Sequence, residues 1–168
     1  MSKQRKIRKQ RKTLLVVGEG QTEVAFLNHL KTLYCREKNS VKVTVQNAHG
    51  KGPENILQTA IRKKKQASYD RVIAVLDTDI LWTPALKKEA SSYDVDLIGS
   101  TPCIEALFLK LLDKPVPLNT QSCKKAIAGV LNVDLLDKNS YTDWCTKEKL
   151  ENLRDTNADL NRLLKAYE

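Results

Sequence analysis

A chain of 168 residues, 41% hydrophobic and 29% charged, has the size and composition of one soluble globular domain with a real core. No apolar run approaches the ~18 residues of a membrane span, and no signal-peptide core follows the basic N-terminus, so a membrane role is excluded and a cytoplasmic location expected. The net charge of +9 is concentrated at one end: residues 1–12 hold seven of the 29 basic residues and none of the 20 acidic ones, leaving 22 against 20 elsewhere.

That first segment, MSKQRKIRKQRK, carries Lys3, Arg5, Lys6, Arg8, Lys9, Arg11 and Lys12. A disordered basic arm over residues 1–12 is expected, suited to sequence-independent attraction to nucleic-acid phosphates or serving as a solvated leader. TLLVV (13–17) is a short continuous apolar run, as in a strand buried on both faces. From Gln21 to about Lys38 apolar residues recur at helical spacing, and VKVTVQN (41–47) alternates as a strand. GKGP (50–53) is a loop with Pro53 acceptable at a first helical position, and a helix is predicted from there to about Ala67. RVIAVLDTD (71–79) is a second apolar run ending in two aspartates; a short helix (83–92) and a further strand (94–99) follow. TPCIEALFLKLLD (101–113) reads as a helix with Thr101 as cap and Pro102 at its first position, stopped by KPVPLN. Helices at about 121–131 and 147–167, around a polar loop at DKNSYTD, complete the chain. The alternation of strands and helices predicts an α/β layer fold with a central, mostly parallel four-stranded sheet and extra C-terminal helices.

In such a fold function gathers at the carboxyl ends of the strands, and acids stand at three of those junctions. Glu19 ends the first strand and Glu23 lies four residues on, where a helix dipole also favours an acid. Asp77 and Asp79 end the 71–76 strand, and Glu105 lies in the first turn of the helix that follows 94–99. Positions 105, 108, 109 and 112 share one helical stripe reading Glu, Phe, Leu, Leu, which places this glutamate at the sheet edge and not in water. In an extended backbone Asp77 and Asp79 point to the same side. Two hard oxygen ligands on one side suit Mg²⁺ or Mn²⁺, and converging carboxylates would repel one another by several kcal/mol without such a cation. The metal would polarise a phosphodiester while a neighbouring glutamate moves the proton.

Other site chemistries fit less well. Gly18 and Gly20 form a G-x-G, but Glu23 occupies the third glycine position of a dinucleotide loop, and no G-K-[ST] follows. Cys35, Cys103, Cys123 and Cys145 are too widely spaced for a paired zinc motif and read as reduced, packed thiols. Two tryptophans, five tyrosines and two phenylalanines leave little for a base-stacking platform. A receiver-like signalling domain would need a fifth strand with a terminal lysine where the segment after Thr101 offers a helix.

VVGEGQTEVAFL followed by AVLDTD resembles the glutamate and D-x-D motifs of the Toprim fold. E-G-x-T-E together with TPCIEALFLKLL resembles the RloB-like and OLD-type nucleases of prokaryotic defence systems, and GKGPENIL resembles the Gly-x-x-Pro turn before their second helix. The likeness covers residues 13–113 as a Toprim-like core, with 114–168 as a helical extension packed on it. The sequence departs from the RloB-like pattern at Ile80 and Leu81 after D-x-D, at Thr101 in place of Asn, and at Ile104 in place of an aromatic residue. The resemblance implies a Mg²⁺-dependent nuclease acting on RNA or DNA, a phage-defence effector with a defence-system partner or as a homodimer. Glu19 would be the general acid/base and Asp77 and Asp79 catalytic metal ligands. Glu23 and Glu105 would complete a second metal site or support the first. The alternative is a Toprim scaffold whose chemistry has lapsed, retained for nucleic-acid binding or regulation.

Overall fold

The computed structural model describes residues 10–168. The basic positions Lys3, Arg5, Lys6, Arg8 and Lys9 lie outside the described residues. Four strands, β1 (Thr13–Gly18), β2 (Lys42–Asn47), β3 (Arg71–Asp77) and β4 (Asp96–Ser100), form one all-parallel sheet in the order β2-β1-β3-β4. The α/β expectation therefore holds, with every strand pair parallel. Seven α-helices flank the sheet among the described residues: α1 (Gln21–Tyr34), α2 (Gly52–Gln66), α3 (Pro84–Ser92), α4 (Ile104–Leu111), α5 (Thr120–Val130), α6 (Lys147–Arg154) and α7 (Ala158–Tyr167).

The period-two alternation of the strands divides the core. Leu15, Val17, Val72, Ala74 and Leu76 face one way and pack with Ile56, Leu57 and Ala60 of α2 and Leu86 and Ala90 of α3. Leu14, Val16, Ile73, Val75 and Ile98 face the other way, onto α1, α4 and the C-terminal helices. β1 and β3 are covered on both faces, which is why they read as unbroken apolar runs. Residues 114–168 share this second core: Cys123, Ile127, Leu150, Leu163 and Leu164 all lie in it. At its centre Phe108 meets Phe26, Tyr141 and Trp144 with ring centroids 5.3–5.5 Å apart. All three contacts are edge-on or tilted arrangements that aromatic quadrupoles favour.

Four local expectations are revised. α1 stops at Tyr34, before Lys38, where Glu37 and Ser40 close a turn with the Glu37 amide donating to Ser40 Oγ at 3.0 Å. The 147–167 helix is two helices, because Asn157 accepts from the Leu160 amide at 3.0 Å and caps α7 in place of continuing α6. The DKNSYTD segment contains a 3₁₀ turn (Lys138–Tyr141) that buries Tyr141 completely, its hydroxyl donating to Leu135 O at 2.7 Å. The helix expected at Thr101 begins at Ile104, since the Pro102 carbonyl, after a cis Thr101–Pro102 bond, is taken by the amides of Thr78 and Asp79 at 3.1 and 3.2 Å.

Residues 11 and 12 are part of the fold's edge. The Lys42 amide donates to Lys12 O at 2.8 Å, and Arg11 Nε donates to Ser40 O at 2.8 Å. Both side chains are exposed.

Candidate metal centre

The strand order places a topological switch between β1 and β3: the chain leaves β1 towards β2 on one side, and β3 leads to β4 on the other. A crevice opens at such a point, outside the carboxyl ends of the two strands. Glu19 follows β1 directly and Asp77 ends β3, so the two stand on either side of it. Gly18 makes the approach of α1 possible, because a Cβ there would lie 2.8 Å from the Glu23 Cβ. The Glu19 carbonyl accepts from the Gly50 amide at 2.8 Å, tying the first turn to the loop after β2.

Each acid has a defined setting. Glu23 is buried, and its Oε2 accepts from the Gly20 amide at 3.0 Å, which serves the first turn of α1. Asp77 Oδ1 accepts from the Ile104 amide at 3.1 Å and so caps α4, a task that the side chain of Cys103 does not perform. Asp79 lies beyond the end of β3 and is exposed; its Oδ2 accepts from Thr120 Oγ1 at 2.7 Å. The expectation that Asp77 and Asp79 extend side by side from one strand is thus revised, because the chain bends at Thr78. Glu105 is 7% exposed and its Oε2 has no hydrogen-bond partner.

Electrostatics link the five. Burial pushes Asp77 up to about 8, and Glu23, Glu19, Glu105 and Asp79 all add to the shift. Glu19 is raised by burial and then by Asp79, with Lys124 pulling it back; Glu23 is raised by burial, with Glu105 and Glu19 contributing. The predicted acids are therefore brought into one electrostatic neighbourhood. As the side chains stand, no three His, Cys, Asp or Glu groups among the described residues are set to hold a metal ion. Glu23, Asp77 and Asp79 each turn one oxygen to a protein donor.

Thr120 and Lys124 carry no sequence signal of a site. They lie four residues apart on α5 and so share a face, which meets Asp79 and Glu19. Nothing in QSCKKAI marks this role, since the contact spans about forty residues of chain or more. Cys103, beside the cluster, is pushed up to about 12 by burial and by Glu105.

A family model described as RloB-like protein matches residues 14–163. The chain belongs to the RloB-like family. The match reaches well past the motifs between residues 13 and 113 and takes in α5, α6 and most of α7. No curated protein matches the chain. Among the described residues, no helix is long and apolar enough to cross a membrane.

Proposed function

We propose that this RloB-like protein is a Toprim-type nuclease, dependent on Mg²⁺ or Mn²⁺, that cleaves phosphodiester bonds of RNA or DNA as an effector of phage defence. The observation that carries it is Glu105: a buried carboxylate oxygen without a partner, in one electrostatic neighbourhood with four further acids. A buried polar oxygen left without a partner is costly, and a cation bound there would remove the cost. The donors are all hard oxygens, which favours Mg²⁺ or Mn²⁺ over zinc.

Asp77 and Asp79 would hold the ion with Glu19 across the crevice, and Glu23 and Glu105 would complete the shell or a second site. When bound, such an ion polarises the phosphodiester and stabilises the charge that develops in cleavage. Glu19 would move the proton, its carboxyl raised by burial and by Asp79 and lowered by Lys124. Lys124, on the same side, offers positive charge to a phosphate oxygen.

One observation favours the lapsed-scaffold alternative. Glu23 and Asp77 each accept from a backbone amide at a helix start, a structural task that needs no metal. The two are separated by incubating the purified protein with tRNA, ribosomal RNA and plasmid in Mg²⁺, Mn²⁺ or EDTA, with metal binding followed by calorimetry. Cleavage that EDTA stops is expected. No cleavage and no heat of metal binding would leave the scaffold alternative.

A further inference from the structure

Beside the acid centre lies a cavity of about 250 Å³ that the chemistry above does not use. It opens at the carboxyl end of the edge strand β4. Its walls come from β4 (Ile98, Ser100), α4 (Leu107, Lys110) and the start of α7 (Asn157, Asp159). The cavity adjoins the centre directly, because Ser100 is the register partner of Asp77 and its carbonyl accepts from the Thr78 amide at 3.0 Å.

A Cβ added to Gly99 would lie 3.4 Å from Asp159 Oδ2, so this glycine lets the carboxylate come close to the end of β4. Arg162 engages the other oxygen, Oδ1, at 3.2 Å. Ile80 and Leu81, next to Trp82, are 51% and 82% exposed.

The lining selects the ligand. A volume of about 250 Å³ is below the roughly 300–1,000 Å³ of sites for drug-sized molecules, so it suits one ring system. Apolar side chains on β4 and α4 suit the faces of a flat heterocycle. Asp159 accepts from an N–H and Lys110 donates to a carbonyl, so the ring should carry both. We propose that this cavity is a nucleobase subsite, holding the unpaired base of the nucleotide next to the phosphate at the acid centre. Asp159 accepts from an N–H on the edge of the base and Lys110 donates to its ring carbonyl. The substrate is taken from the nuclease reading, on which this proposal rests. A base already paired has its edge occupied, so the site takes single-stranded or extruded nucleotides. Guanine, cytosine, uracil and thymine each carry an N–H and a ring carbonyl; adenine lacks the carbonyl.

Nucleosides test the subsite without a phosphate and, in EDTA, without any cation at the acid centre. Guanosine, cytidine, adenosine and uridine are titrated against the full chain by saturation-transfer NMR and by quenching of indole emission, for the wild type, Asp159→Ala and Lys110→Ala. Guanosine, cytidine and uridine should bind about tenfold more tightly than adenosine; Lys110→Ala should remove about that factor, and Asp159→Ala should weaken all four by about as much. No binding of any nucleoside, or equal binding of all four that neither substitution changes, overturns the subsite. A second readout is the base beside the cut in a randomised single-stranded oligonucleotide: any base but A in the wild type, all four in Lys110→Ala. Nucleoside binding with the expected preference, in a protein that cleaves nothing, would uphold the subsite and remove the nuclease assignment.

Discussion

Glu105 and Phe108 lie three residues apart on α4 and show two ways of being buried. Phe108 is fully enclosed and meets Phe26, Tyr141 and Trp144 edge-on. Glu105 is almost as enclosed, yet one of its oxygens has no partner and its charge raises both Asp77 and Glu23. The aromatic cluster gains free energy from every contact, whereas the acid edge crowds carboxyl groups that raise one another towards the protonated form. Packing and the candidate site are thus carried by different faces of a helix of eight residues. Substitutions should separate them.

The largest effect is expected from Glu19→Gln. Cleavage should fall by about 10²–10⁴-fold, the range for loss of a general acid/base, with the melting temperature kept within about a degree or two. A large drop in melting temperature would place Glu19 with the packing residues. Phe108→Ala should do the reverse, costing about 3–5 kcal/mol of stability, measured by urea denaturation, because it empties the centre of the aromatic cluster.

Asp77→Asn sharpens the contrast, because one change should act oppositely on the two properties. The amide keeps an acceptor for the Ile104 amide and removes a carboxyl group that ionises more easily in the unfolded chain. Cleavage is lost, while the metal-free protein gains of the order of 1–3 kcal/mol. The pH dependence follows the same sign. Asp77 is raised from 3.8 to about 8, and Glu19 and Glu23 are raised too, so the folded metal-free protein binds more protons than the unfolded chain. Their contribution is fully present below the unfolded carboxylate values and is lost as pH rises towards about 8 for Asp77. Melting curves in EDTA between about pH 5 and 9 should fall across that window. Asp77→Asn should flatten the slope, and Mg²⁺ should raise the alkaline end. A curve unaffected by Mg²⁺ would count against the acids as a metal centre.

The smallest effect is electrostatic and lies outside both regions. Removing residues 1–9 takes away Lys3, Arg5, Lys6, Arg8 and Lys9 and leaves the Lys12–Lys42 pairing in place. Nucleic-acid affinity should weaken, and its dependence on salt should flatten by about 0.9 in log–log slope for each phosphate that the segment neutralises. An unchanged slope would make the segment a solvated leader.

Much of the fold was legible because its signals are local. β1 and β3 are continuous apolar runs since helices cover both faces, and β2, at the edge, alternates. Glu19, Asp77 and Glu105 were legible because a carboxylate directly after an apolar run, or on an apolar stripe, has no local reason to be there. The errors arose where a distant partner decided the outcome. Pro102 looks like a helix start, but its carbonyl is taken by the turn after β3. Tyr141 looks like part of a polar loop, but it fills the space between α1 and α4. Thr120, Lys124, Trp82 and Asp159 carry no sign of the sheet edge they reach.

The sequence by itself determined the α/β order and the placing of acids at strand ends, because strand and helix periodicity and the charge at a junction are written within a few neighbouring residues. The tertiary structure alone decided that β1 and β3 would be neighbours, and so that Glu19 would face Asp77. It also decided that the start of α7 would close a cavity beside them. Those outcomes depend on which apolar faces find each other across the sheet, and in a parallel sheet every such meeting is made by residues far apart in the chain.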